Sequence, residues 1–214
     1  MKLDRIYSLI NNKGILKEVS FEFNPGNLYY IIVENVNVGD SLFDVIGLVS
    51  PIMEGSFIIN DLDVSGLSYK EKAKIRRENI GFIFKNILLD NNFTVFENVL
   101  LPLINNKDLS LQEKEAQVNK YLKKYNLENL KDNYPDSLSL YEKQVVSLAR
   151  SLVNNPKFIL TYEPTILFND NDEKKFYDYL KALTKFDIGV IIITRKIKFK
   201  DYANKIYWYE NNFM

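Results

Sequence analysis

Apolar positions along this chain fall into two kinds of pattern. Lys157 to Leu160 and Val190 to Thr194 are continuous apolar runs rich in β-branched residues. A strand covered on both faces reads this way, because neither face can carry polar side chains. Glu18 to Phe23, Leu28 to Val33, Phe57 to Ile59 and Ile80 to Phe84 are short strand-like stretches. Pro25-Gly26 predicts a tight turn joining the strands on either side of it, and Asn60-Asp61 predicts another turn. Between the strands lie polar segments with helical spacing, and three of them open with Ser or Thr followed three residues later by Glu: Ser68 with Glu71, Thr94 with Glu97, Ser110 with Glu113. Each pair predicts a capping box at a helix start. A further helix is predicted from about Asp172 to Phe186. Strands near both ends and a helical block in the middle point to an α/β fold, with a mainly parallel sheet and a helical insertion.

Length and composition narrow the picture. The 214 residues, 46% of them hydrophobic, suit one domain spanning 1–214. Lys plus Arg and Asp plus Glu both number 28, so no net field favours nucleic acid. The chain has no Cys and no His, which excludes disulfides, thiolate nucleophiles and every Ser-His, Cys-His or His-metal chemistry. Carboxylates, Lys, Tyr and backbone groups remain. The longest apolar runs fall far short of the ~20 residues a membrane-spanning helix needs. The N-terminus lacks an apolar signal core, so a cytoplasmic location is expected.

Longer motifs add a resemblance. Ile80-Gly81-Phe82-Ile83-Phe84-Lys85 through Phe93-Thr94-Val95-Phe96-Glu97-Asn98-Val99, then Tyr134 to Ser139, Ser147 to Leu152, Asn155-Pro156-Lys157 and Glu163-Pro164-Thr165, stand in one order and spacing. In that order they resemble the ABC ATPases of the lipoprotein-release and macrolide-efflux branch. The resemblance implies a P-loop NTPase-like ABC ATPase fold, with an N-terminal antiparallel β subdomain and an α-helical subdomain at approximately 86–155. It also implies an ATP site, and there the sequence departs from the family pattern.

A working phosphate loop reads G-x-x-x-x-G-K-[ST], with glycine backbone closing on phosphate and Lys neutralising it. Here the matching run is Glu34 to Ser41, and only Gly39 and Ser41 survive. Val36 and Val38 resist positive φ, and Glu34 and Asp40 bring negative charge; Asp in place of the family's Lys alone is a swing of ~5 kcal/mol against phosphate even after heavy discounting. Asp40 reads either as a relaxed position or as a new cation ligand, and Ser41 either as a magnesium ligand or as a helix cap. The family's Gln aligns with Lys85, and its adenine-stacking aromatic with Ile10 or nearby Tyr7. The LSGGQ signature becomes Leu138-Ser139-Leu140-Tyr141-Glu142, where Leu140 and Tyr141 replace the glycines and Ser139 with Glu142 forms a fourth capping box. The metal-organising Asp is Tyr162 and the switch His is Arg195. Glu163 stands at the catalytic base position, read either as an idle base or as a carboxylate held by strand-end hydrogen bonds.

These departures lead to the expectation of a non-catalytic subunit: no cofactor, Mg-ATP unbound, no metal site. It would dock as scaffold or regulator on an ABC permease, at the inner face of the cell membrane. The alternatives are a weakly active exporter ATPase, with Glu163 as base and Ser41 on magnesium, and an interaction module that has left the transporter. A second nucleotide-binding-like subunit is the other candidate partner. Leu88, Leu89 and Phe93 are the candidate docking residues, unless they pack into their own core.

Overall fold

The computed structural model describes residues 1–10 and 14–210, without the side chains of residues 9, 10, 14 and 15. Five strands form a parallel sheet in the order β6-β7-β8-β3-β9. They are β3 (Leu28–Val33), β6 (Ile80–Ile83), β7 (Phe158–Tyr162), β8 (Gly189–Thr194) and β9 (Lys205–Tyr209). Every residue of β3, β7 and β8 is buried. Their side chains divide by alternation between two cores. Ile31, Val33, Leu160, Tyr162, Ile191 and Ile193 face one core, and Tyr30, Ile32, Ile159, Val190 and Ile192 face the other.

The first core is closed by helix α1 (Val36–Ile46) and by a second, antiparallel sheet in the order β2-β1-β4-β5. That sheet comprises β1 (Lys2–Ile10), β2 (Gly14–Glu22), β4 (Glu54–Ile59) and β5 (Leu62–Asp63). Asn60 and Asp61, both at positive φ, make the two-residue turn between β4 and β5. The second core is closed by α3 (Val95–Leu100), α4 (Leu111–Lys124), α5 (Leu140–Leu152) and α6 (Asp170–Leu183). Helices α3, α4 and α5 lie between β6 and β7 in the chain; α2 (Tyr69–Asn79) precedes β6. All four capping boxes form, at Ser68, Thr94, Ser110 and Ser139.

The Pro25-Gly26 turn does not pair its flanking strands. It hands the chain from the antiparallel sheet to the parallel one, with Gly26 at φ +74°. The reason lies in β3, whose two apolar faces demand a central place between β8 and β9. Two strands had no legible pattern. In β1 the buried Leu3 and Ile6 are three residues apart, because register shifts break the alternation and Arg5 lies at φ +47°. In β9 the exposed Trp208 hides the alternation of Tyr207 and Tyr209.

Those two tyrosines join the sheets. The Tyr209 hydroxyl accepts from Lys17 N at 2.9 Å and donates to Lys17 O at 3.0 Å. The Tyr207 hydroxyl does the same at Glu22, at 3.1 and 2.7 Å. Since β2 is an edge strand, the hydroxyls occupy backbone groups that would otherwise offer a template to another chain. Replacing both by Phe is expected to cost about 1–3 kcal/mol in chemical denaturation. It should also speed amide exchange at Lys17 and Glu22, and unchanged exchange there would refute the assignment.

Candidate functional site

Buried strands leave their polar chemistry at their ends, and the motif residues gather where β3, β7 and β8 finish. Glu34 follows β3, Glu163 follows β7 and Arg195 follows β8. These three, with Ile166, Lys196 and Lys198, line a cavity of 570 Å³.

The segment read as a phosphate loop is helical from Val36 onward. Asn35 caps α1, its side chain accepting from Val38 N at 3.0 Å, and Gly39 N donates to Asn35 O at 3.1 Å. With no glycine before Gly39 to supply positive φ, the chain winds directly into helix. Ser41 is therefore not a cap. It lies well inside α1 and is 3% exposed. Gly39 serves packing, since a Cβ there would come within 2.6 Å of the Tyr162 ring. Tyr162 thus fills the space beside α1, and its hydroxyl reaches Val36 O at 3.5 Å. Burial, reinforced by the charges of Asp40 and Glu163, pushes its phenol up to about 12, so it stays neutral.

Asp40 and Lys85, read separately as two losses, meet in the structure. Lys85 Nζ lies 2.7 Å from Asp40 Oδ1 and 3.0 Å from Oδ2, and 4.8 Å from the centre of the Tyr162 ring. Asp40 is neither a bare negative charge nor a cation site. The signal was available: the family's Lys had become acidic while its Gln had become basic. Glu163, at φ +44°, accepts from Thr194 Oγ1 at 3.0 Å, from Arg195 N at 2.9 Å and from Arg195 Nε at 3.1 Å. This is the strand-end carboxylate that the sequence left open as one reading. A third pair joins Glu173, 4% exposed, to Lys198, and the Thr165 hydroxyl donates to Glu173 at 2.7 Å. No motif had marked Glu173.

The signature replacement is split. Leu140 is half exposed, while the Tyr141 ring packs 5.7 Å from Phe168. The Ile10 side chain lies outside the described residues, and Tyr7 donates to Glu18 at 3.1 Å. Of the docking candidates, Leu88 is exposed, Phe93 is half-buried and Leu89 packs against the second core. Asn98, buried completely, was missed as an organiser of that loop. Its side chain donates to the carbonyls of Asp90, Phe93 and Thr94 at 3.0 Å each and accepts from Asp90 N at 2.9 Å.

Comparison with known proteins places this arrangement. Residues 16–166 match the family described as ABC transporter. The chain belongs to the ABC transporter family. The lipoprotein-releasing system ATP-binding protein LolD of Francisella tularensis is 31% identical over 195 residues, covering 91% of this chain and 84% of that one. The macrolide export ATP-binding/permease protein MacB of Campylobacter jejuni is 30% identical over 204 residues, 95% of this chain but 32% of that protein, so the chain spans about a third of MacB. The dimeric structure of the ATP-binding cassette MJ0796 bound to ADP and Pi superposes with a TM-score of 0.84 at 29% identity, covering 97% of this chain and 93% of that one. This chain is an ABC ATP-binding subunit of an exporter-type system, with the P-loop NTPase fold.

The expectation that the chain takes no cofactor and leaves Mg-ATP unbound is thereby overturned. The family match, the relative named as ATP-binding and the cassette holding ADP and Pi give no sign that this chain is an exception. The physical error is identifiable. Asp40 is not an unpaired charge, since Lys85 neutralises it. The cations at the strand ends do suit a polyanion.

Asp40→Lys, which restores the family residue, is expected not to produce ATP hydrolysis. It sets two ammonium groups against each other at Lys85, and Tyr162, Arg195 and the signature residues remain as they are. A phosphate-release assay showing turnover by this single variant would overturn the site description.

Proposed function

We propose that the chain acts as the docking and regulatory subunit of an exporter-type ABC system, with its hydrolytic step disabled. The observation that carries this reading is the bonding of Glu163. A general base needs an open lone pair directed at the nucleophile. Here three donors, one of them a guanidinium, take three of the carboxylate's four lone-pair sites, and its side chain is only 14% exposed, so little of it is presented to a nucleophile. Nucleotide remains the family's ligand. Its phosphates would meet Arg195 and Lys196 at the cavity, and the reading concerns hydrolysis rather than binding. Ser41, enclosed in α1, speaks against the weak-ATPase alternative.

Docking is supported by the loop between β6 and α3. Among the described residues no helix is long and apolar enough to cross a membrane, so attachment to the inner face would come through a permease. The exposed Leu88 and half-buried Phe93 would form the contact, in the stretch whose spacing follows the family. A second nucleotide-binding-like subunit would complete the assembly, as the dimeric MJ0796 cassette suggests.

The purified chain with Mg-ATP is expected to release phosphate no faster than buffer, and Glu163→Gln should change nothing. Turnover that Glu163→Gln abolishes would establish the weak ATPase instead. Phe93→Asp is expected to lower recovery of a co-expressed permease subunit by tenfold or more, since a charge in a desolvated contact costs on the order of 2 kcal/mol or above. Its circular dichroism should match the parent, because Phe93 is not a core residue. Normal folding with normal permease recovery would reject the docking assignment.

A further inference from the structure

We infer that the Lys85–Asp40 bridge is a built-in strap, which fixes the loop leading to the helical block whether or not nucleotide is present. The helices α3, α4 and α5 leave the sheet after β6 and return to it at β7, so the loop from Phe84 to Phe93 is one of only two covalent passages between them and the strands. That loop is held at both ends. At its far end Asn98 binds the carbonyls of Asp90 and Phe93 and the amide of Asp90, which fixes it to α3. At its near end Gln144 of α5 donates to Phe84 O at 3.3 Å and to Pro164 O at 2.8 Å, tying the loop's first residue to the segment beyond Glu163.

Lys85 supplies the link to α1. Both Asp40 oxygens lie within 3.0 Å of its ammonium, and the Tyr162 ring supports the same group from β7. The ammonium therefore joins three elements, β6's exit, β7 and α1, through contacts wholly internal to the chain. Partial shielding strengthens such a pair relative to a fully exposed one: the Lys85 side chain is 27% and that of Asp40 38% exposed. Tyr162 closes the alternative of slack, since its ring packs directly against Gly39 of α1 and leaves no room for that helix to approach further.

The strap's consequence for a permease rests on the docking reading above, because the strapped loop carries Leu88 and Phe93; the fixing of the loop does not rest on it.

Hydrogen–deuterium exchange of a peptide covering residues 86–93 tests the strap. Asp40→Asn and Lys85→Met are each expected to speed exchange there roughly twofold to fivefold, the upper part of the range for losing one ion pair, while β7 and β8 keep their rates. The reciprocal double variant Asp40→Lys with Lys85→Asp should return to near the parental rate. Raising the salt concentration should speed exchange in the parent and not in Lys85→Met, a comparison that needs no charge reversal to fold. Millimolar Mg-ATP should leave the parental rate of this peptide unchanged. Single variants that exchange at the parental rate would overturn the strap, and so would a Mg-ATP effect as large as theirs. If the exchange results hold but the parent recovers no permease, the docking reading falls and the strap stands.

Discussion

Two-sided burial of β3, β7 and β8 is the constraint on which the rest of this molecule depends. A strand apolar on both faces cannot sit at a surface, so a layer must cover each side. One side receives α1 and the antiparallel sheet, the other α3 to α6. Since the interiors of these strands are closed to solvent, with even the Thr161 hydroxyl sealed in, polar function is confined to their ends. Parallel orientation then collects Glu34, Glu163 and Arg195 at one edge of the sheet, although they are distant in sequence. The position of the site follows from burial before any of its side chains is considered.

The same logic explains which parts of the sequence could be read. β7 and β8 announce themselves, because double burial writes an unbroken apolar run, whereas β3 was legible as a strand but not as a central one. Helix starts were equally legible: Ser68, Thr94, Ser110 and Ser139 each carry their Glu three residues on, and each box closes. The strands β1 and β9 were not legible, for opposite reasons. β1 is bulged, so its buried positions fall out of step. β9 is an edge strand whose two tyrosines are selected for hydroxyls that reach across to β2, which no hydropathy pattern encodes. Helix α1 was hidden by a stronger expectation. The surviving Gly39 and Ser41 suggested an irregular loop, whereas Asn35 and two valines specify a capped helix.

At the site, residue identities were legible and residue relations were not. A sequence shows that Lys has become Asp at one position and Gln has become Lys at another 45 residues away. Only the fold shows that α1 and the exit of β6 place them 2.7 Å apart. Treating the two as independent produced an uncompensated negative charge and, from it, the mistaken exclusion of nucleotide. Asn98 and Glu173 illustrate the same limit. Each is an ordinary polar residue in a helix until burial turns it into a junction, with four hydrogen bonds around one and, at the other, an ion pair to the half-exposed Lys198.

Pairing also changes what the altered motifs mean. Asp40 with Lys85, Glu163 with Arg195 and Glu173 with Lys198 leave the strand ends with three compensated carboxylates. In the first two pairs the cation stands where the family pattern has an uncharged Gln or a switch His. Asp40 and Glu163, both partly shielded, each have a counter-charge within about 3 Å, so neither carries the cost of an unpaired carboxylate. The substitutions are better understood as a set, in which cations fixed to the protein took over the neutralisation of these carboxylates. A site organised in this way holds its loops with its own charges. The geometry at the strand ends, including the loop that leads to the helical block, is then a property of the folded chain itself.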